Sequence, residues 1–356
     1  MTSRPRSLVF IVPGSIDTAT GGYGYDRRMI SGLEALGWAI SLFELAAGFP
    51  QPDAAARQHA VGVMASIPEE AIVLVDGLAL GALAAEAERE SARLRLVALV
   101  HHPLAAELGI ASETAASLRA SERRALASVR LTIVTSPATA EALGDYGVAP
   151  EHIAVVEPGT DPAPLAHGSP SACVSMLSVA ALVPRKGHDI LFRALAALPN
   201  RNWHLTCVGP MDRHPETTAR LREQLRAAGL EDRVQLGGEV DRAALDAQYD
   251  AADLFVLPTR FEGYGMAVAE ALARGLPIVS TATGAIGTIV GEEAGLIVPP
   301  GDEDALRAAL SLVLNDADLR QRLARGAARV RTRLPTWETA AANMARALRR
   351  VDGRCA

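Results

Sequence analysis

Two α/β domains in succession, each an open and mostly parallel sheet flanked by helices, are the fold this sequence predicts. Three observations lead there. Short β-rich apolar runs alternate with helical runs along most of the chain. A stretch rich in proline, glycine and serine, Pro158-Gly-Thr-Asp-Pro162 through Gly168-Ser-Pro-Ser171, interrupts the alternation, which then restarts. Glycine-rich turns stand where strands give way to helices. At 356 residues the chain is long enough for two domains of ordinary size, each burying its own core.

The first half opens with Ser7-Leu-Val-Phe-Ile-Val12, an apolar run with the length of a buried strand. The turn Pro13–Gly22 follows, then a helical stretch Tyr23–Leu36 stopped by Gly37. Gly21-Gly22 permits close backbone approach to a ligand, often a phosphate, although the same pair also serves as a flexible turn. No third glycine or ribose-binding acid stands at the usual distance, which disfavours a dinucleotide fingerprint. Further strands are expected at Ile40–Leu45, Ile72–Val75, Leu96–Val100, Leu131–Thr135 and Ile153–Val156. In such sheets ligands gather at the carboxyl ends of the strands, and His101-His102-Pro103 occupies one such end. Ser136-Pro137 after Ile133-Val-Thr135 reads as a helix cap. A linker is expected around 160–172.

The second half begins with the strand Val174–Val179 and the loop Val183-Pro-Arg-Lys-Gly-His-Asp189, which leads into a helix over Ile190–Ala197. Leu205-Thr-Cys-Val208 with Gly209-Pro210 is a strand and turn. Val234–Leu236, Gly237-Gly238 and a helix over Arg242–Asp250 come next. The unit around which the rest is organised lies between the strands Asp253–Pro258 and Pro277–Ser280. There the turn Gly263-Tyr264-Gly265 opens the helix Met266–Arg274, which Gly275 ends. Free N–H groups and the positive end of the helix dipole converge at that turn, so it can bind an anion without a cationic side chain. Glu262 precedes the helix and Glu270 lies two turns inside it, with backbones about 12 Å apart at 1.5 Å rise per residue. Glycosidase carboxylates sharing one bond stand about 5–9.5 Å apart. The wider spacing suits two ends of one long ligand: a sugar at Glu262, a phosphate over the turn and a ribose at Glu270.

Composition narrows the function classes. Hydrophobic residues make up 49% of the chain, and no run of 18 uncharged apolar residues occurs. The start, Met-Thr-Ser-Arg-Pro-Arg-Ser, lacks a signal peptide's apolar core, so a cytoplasmic enzyme is expected. Cys173, Cys207 and Cys355 are too few and irregular for a disulfide framework or zinc site. Net charge is −6, and residues 1–168 hold 12 Arg and no Lys against 19 Asp plus Glu. That acidic half argues against nucleic acid and gives no support to docking on anionic lipid. Of the 35 basic residues Lys186 is the only lysine, a compact ammonium kept where arginine is used everywhere else.

Glu262-x7-Glu270 behind a Leu257-Pro-Thr259 strand end, together with Gly263, Gly265 and the upstream Tyr249-Asp-Ala-Ala-Asp253, resembles the signature of family-4 retaining glycosyltransferases of GT-B fold. The resemblance is strongest over 172–314. It implies two Rossmann-like domains facing across a cleft, assigned here to 1–168 on the acceptor side and 169–335 for the donor. A last helix within 336–356 is expected to cross back to the first domain. It implies transfer of a hexose from a UDP- or GDP-sugar to a hydroxyl acceptor with retention, in cell-envelope glycan, glycolipid or small-molecule glycoside synthesis. The implied donor site comprises Gly22, Arg185, Lys186, Glu262, Gly263, Tyr264, Gly265 and Glu270, with Glu262, Lys186 and His101 as catalytic residues. His101 is the better match to the family's sugar-contacting histidine. Lys186-Gly187 fits the family's pyrophosphate-binding lysine, but the arginine's place five residues earlier holds Ala181, leaving Arg185 as the candidate second cation. No cofactor and no metal are expected: Asp302-Glu-Asp304 and Asp316-Ala-Asp318 read as helix caps, not as metal ligands. Membrane contact is expected only if the acceptor is a lipid. A nucleotide-sugar 2-epimerase of the same fold and a non-catalytic nucleotide-sugar-binding protein are the alternatives.

Overall fold

The computed structural model describes residues 6–352; residues 1–5 and 353–356, Cys355 among them, lie outside the described residues. The chain forms two compact units, one running to Gly159 and resuming at Pro335, the other spanning Thr160–Leu334.

Among the described residues the first unit holds six strands, β1 (Arg6–Pro13), β2 (Trp38–Leu45), β3 (Ile72–Asp76), β4 (Arg95–Val100), β5 (Leu131–Val134) and β6 (Ile153–Val155). They lie in the order β2-β1-β3-β4-β5-β6, every neighbouring pair parallel. The central strands are apolar on both faces: Val73, Leu74 and Val75 of β3 and Leu96 to Val100 of β4 are all buried, as a sheet covered by helices on each side requires. The edge strand β2 instead leaves Ala39, Ser41, Leu42 and Glu44 exposed. Gly21 and Gly22 form the first positions of the helix Gly21–Ala35, not a turn ahead of it, because Thr20 caps that helix by accepting from Tyr23 N at 3.0 Å.

The second unit holds β7 (Val174–Val179), β8 (Trp203–Val208), β9 (Val234–Gly238), β10 (Leu254–Leu257), β11 (Ile278–Thr281) and β12 (Gly295–Val298). Their order is β12-β11-β10-β7-β8-β9, again all parallel. The sequence reading did not recognise β12. It is four residues long and begins with Gly295, where a side chain would run into the Ile278 carbonyl across the pairing. In each sheet one pair of neighbours marks the point where the winding reverses, β1/β3 in the first and β7/β10 in the second. In open α/β sheets the crevice at the carboxyl ends of such a pair is where ligands settle.

The expected linker at 160–172 is bonded to the second unit. Ala166 N donates to Arg274 O and Gly168 N to Asp250 O, each at 2.9 Å. The Asp253 carboxylate accepts from Ser169 N at 2.9 Å and Ser175 N at 2.8 Å. The boundary therefore falls at Gly159–Thr160, not at 168–169: the proline- and glycine-rich composition predicts a linker, but Asp250 and Asp253 take up its N–H groups. The last helix, Trp337–Arg349, belongs to the first unit and packs on Gly21–Ala35. A Cβ added at Gly32 would lie 2.5 Å from Ala341 Cβ, and Arg28 stacks 5.4 Å from the Trp337 ring centre. Gly32→Val should therefore lower the stability of this unit by about 1–3 kcal/mol, the usual cost of overpacking a close contact. Urea unfolding followed by tryptophan fluorescence would check it, with an unchanged midpoint counting against the packing.

Candidate functional site

The second sheet's switch point carries the densest set of predicted site residues. Beyond β7 the chain turns through Pro184-Arg185-Lys186 to Gly187, at φ 73°, which starts the helix His188–Ala196. A side chain at Gly187 would run into the Pro258 carbonyl, so glycine lets this loop lie directly on the loop that follows β10. Further hydrogen bonds fasten the two loops. Arg260 N donates to Arg185 O at 2.7 Å, and the Thr259 hydroxyl lies 3.1 Å from the same carbonyl. The Arg260 guanidinium spans both Asp189 carboxylate oxygens at 2.8 and 2.7 Å and also donates to Pro184 O at 2.7 Å. Bidentate pairing of this kind sets orientation as well as energy.

The consequence is a focused charge arrangement. Lys186 Nζ pairs with Glu262 Oε1, and Arg185 NH1 donates to Phe261 O at 3.1 Å while lying 3.9 Å from Glu262 Oε2. Arg185 thus points to the same carboxylate as Lys186, a direction the sequence could not supply. The Lys186 and Glu262 side chains are 17% and 11% exposed, sheltered but not sealed. The turn Gly263-Tyr264-Gly265 is pinned from the far side: Ala285 N donates to Gly263 O at 3.3 Å, and a side chain at Gly284 would strike the Glu262 and Gly263 carbonyls. Gly265 sits at φ 97° and caps Met266–Ala273 without a side chain, as Gly187 does for His188–Ala196. Two helix N-termini with no side-chain cap therefore open at the carboxyl ends of neighbouring strands, and each presents first-turn N–H groups suited to an anion. The Tyr264 ring does not join them. It is 4% exposed and packs on Ala269 and Ala285, so this position offers a ligand its backbone. Ala181, half-buried, has no group that could hold a phosphate.

Glu270 stands in a setting the sequence did not reveal. Burial raises its pKa, while the charges of Arg242 and Arg274 and a hydrogen bond with Tyr249 pull it down, leaving it above the ordinary carboxylate value. Arg274 stacks 4.4 Å from the Tyr249 ring centre and donates to Glu270 O at 3.0 Å. The spacing Arg242, Asp246, Tyr249 at near-helical intervals was the available clue: Asp246 pairs with Arg242 at 3.1 Å and also with Arg274.

At the first sheet's switch point His101, just beyond β4, lies 3.3 Å from Asp26 Oδ1 and 3.6 Å from Asp76 Oδ2, both through Nε2. A Cβ on Gly22 would touch the same ring at 3.3 Å, so the double glycine brings the backbone against the histidine. Neither aspartate was anticipated, although an acid ending the apolar run Ile72-Val-Leu-Val75 and one beside the buried Tyr25 and Met29 were visible signals. His102 faces Glu107, 3.5 Å away. Asp302 and Asp316 accept from Ala305 N at 2.9 Å and Leu319 N at 2.8 Å, so both cap helices.

Residues 70–164 match the family model described as Glycosyltransferase Family 4, and residues 167–330 match Glycosyl transferases group 1. The D-inositol 3-phosphate glycosyltransferase of Salinispora tropica is 33% identical over 224 residues, covering 56% of this chain and 46% of that protein. The chain spans about half the length of the curated relatives it matches. Among solved structures, sucrose-phosphate synthase from Thermosynechococcus elongatus superposes with TM-score 0.80 at 22% identity, over 97% of this chain and 99% of that one. HepE of Anabaena, solved with UDP-glucose, gives 0.75 at 20% identity over 96% and 99%. These likenesses establish the two-domain Rossmann-like GT-B fold. No helix among the described residues is long and apolar enough to cross a membrane.

The helix-opening His188 supplies a test of how this site is built. It is 2% exposed with neither ring nitrogen hydrogen-bonded, and burial, reinforced by the charge of Lys186, lowers its pKa to about 4. The unfolded chain, with an ordinary histidine pKa near 6.5, then takes up the proton first. Stability should fall as pH drops from about 6.5 towards 4, by up to about 1.4 kcal/mol per pH unit, and be unaffected by this group above that window. Comparing urea midpoints of the wild type and His188→Phe at pH 7.5 and 5 isolates the term. Equal pH dependence in the two proteins would show that His188 is not held neutral.

Proposed function

The chain belongs to the glycosyltransferases that these two family models describe, and from that premise we propose that it is a retaining hexosyltransferase, taking a UDP- or GDP-linked hexose as donor and a hydroxyl group as acceptor. The observation that carries this reading is the convergence, at the β7/β10 switch point, of Lys186, Glu262 and two glycine-led helix N-termini. That combination matches a sugar diphosphate. The helix termini and Lys186 meet the phosphates, Glu262 and the Gly263–Gly265 amides orient the hexose, and Glu270 receives the ribose hydroxyls. The likeness to a fold solved with UDP-glucose supports the same donor class.

In the reaction the bond from the anomeric carbon to the phosphate oxygen breaks, and the diphosphate leaves with the bonding electrons. The acceptor oxygen bonds to the same face of that carbon, and its proton passes to a leaving phosphate oxygen. Charge grows on the diphosphate as the bond opens, so fixed donors aimed at it lower the barrier selectively. Lys186 and the helix termini supply that positive charge without a divalent ion. His101 is assigned to orienting the reacting sugar. The segments 46–58, which runs into the helix Ala54–Ser66, and 104–112 of the first unit recognise the acceptor.

A thermal-shift screen of UDP, GDP, ADP and their sugars identifies the base, because only a bound nucleotide stabilises the fold. Transfer then requires nucleotide release in step with a new α- or β-glycoside of unchanged configuration. Isomerised donor without an acceptor, or binding without nucleotide release, would overturn the assignment. Activity lost in EDTA and restored by magnesium would contradict the metal-free chemistry.

Within this reading Glu270→Ala should weaken nucleoside diphosphate binding by about 1.5–3 kcal/mol, the scale of charged hydrogen bonds, as measured by calorimetry. Lys186→Ala should lower turnover more than donor affinity; a change in affinity alone would limit Lys186 to binding. His101→Ala should leave nucleotide affinity intact and slow transfer at least about tenfold. A stable variant transferring at the normal rate would make the histidine scaffold.

A further inference from the structure

The group around His101 asks more of the chain than a sugar contact. Three elements meet there. Asp26 comes from the helix Gly21–Ala35, Asp76 ends β3, and His101 follows β4. Both aspartates are buried, Asp26 completely. Asp76 spends Oδ1 on Leu78 N at 2.7 Å and so cannot rotate away, while its Oδ2 faces the imidazole at 3.6 Å. Asp26 Oδ1 lies 3.3 Å from the same Nε2, and its Oδ2 is buried with no hydrogen-bond partner. Burying one carboxylate in such a place is costly, and two side by side need either a proton held on one of them or positive charge between them; here the imidazole stands between them. The Tyr25 ring, edge-on at 5.3 Å from the imidazole and anchored by its hydroxyl to Val156 O at 3.0 Å, walls one side. Tyr25, Asp26 and Asp76 are the titratable groups that face the ring. The histidine side chain keeps 21% of its surface exposed, so the imidazole is clamped at one nitrogen and open at its other edge.

We propose that Asp26 and Asp76 are positioning residues that hold His101 as an imidazolium, with Nε2–H directed to the two carboxylates, so that the outer ring edge can act only as a hydrogen-bond donor. This rests on the reading of His101 as the residue that orients the reacting sugar, where a fixed donor suits a sugar hydroxyl oxygen. Burial alone would lower the histidine pKa, but the hydrogen bonds and charges of Asp26 and Asp76 outweigh it and push it to about 10. Burial raises Asp26 to about 7 against the opposing pull of His101, with the Asp76 charge adding to the rise. Aspartate pairs of this kind fix both the orientation and the protonation of a histidine.

The test is an NMR titration of the wild-type protein carrying 13C-labelled histidine, with the His101 resonance assigned from His101→Gln. The ring should remain protonated from pH 6 to 8.5. In Asp26→Asn the titration should fall into that range, and the transfer rate should drop at pH 8 and recover several-fold at pH 6, where the ring regains its proton. A His101 that titrates near 6.5 in the wild type overturns the proposal, and this readout needs no folded variant at Asp26. Loss of transfer by one factor at every pH in Asp26→Asn would also overturn it, reducing Asp26 to scaffold. The three side chains place one donor atom each within 4.8 Å of one another, so a bound divalent ion is the rival occupant. A shift of the His101 signal by micromolar zinc, or its broadening by micromolar manganese, lost in Asp76→Asn, would decide for the metal and against the imidazolium. Should His101→Ala transfer normally while the wild-type ring stays protonated, the sugar-contact reading fails and the clamp itself stands.

Discussion

The ion pair of Lys186 with Glu262 is the constraint around which the loops at the carboxyl edge of the second sheet are built. A sheltered pair of this kind adds little to stability, because desolvating the two charges offsets most of their attraction, and apolar replacements are often as stable. The surroundings nevertheless spend many specific features on holding it. Gly187 and Gly284 remove side chains that would push the loops apart, Thr259 and Arg260 tie the loop after β7 to the loop after β10, and Asp189 holds Arg260 through both carboxylate oxygens. Such investment in orientation is what preorganised electrostatics requires: charges already in place, with no rearrangement needed when a ligand's charge develops.

The two sheets place different side chains at the same topological position. At β7/β10 the switch point displays cations, helix termini and one carboxylate, a setting for an anionic ligand. At β1/β3 and the adjoining β4 it displays a histidine backed by two buried carboxylates, the setting of the proposed imidazolium. Glycine has a distinct use in each. In the second unit it lets loop backbones touch, and in the first Gly22 lets a helix start against the imidazole ring. Fold alone would not tell these sites apart; the side chains do.

Much of this was legible in the sequence because the patterns involved are local. The alternation of strands and helices, the glycine turn at 263–265 and the isolated lysine at 186 can all be read within windows of a few residues. The reading fell short where meaning depended on distant partners. The stretch 160–172 looked like a linker until Asp250 and Asp253 were seen to bond it. β12 is too short, and too dependent on Gly295 meeting Ile278, to announce itself. Tyr264 has the composition of a ligand contact, but its ring is drawn into an apolar cluster. Asp26 and Asp76 lie 50 positions apart and become a site only when β3, β4 and the first helix are assembled. Arg185 could be named as a second cation, but its aim towards Phe261 and Glu262 needed the loop geometry.

The most direct measurement is a double-mutant cycle on donor binding: calorimetry of the nucleoside-diphosphate hexose with the wild type, Lys186→Met, Glu262→Gln and the double variant. If the ammonium and the carboxylate act as one preorganised unit towards the donor, their effects will be coupled, with an interaction energy of about 1 kcal/mol or more. Effects that add within about 0.5 kcal/mol would contradict it, since residues acting independently behave that way.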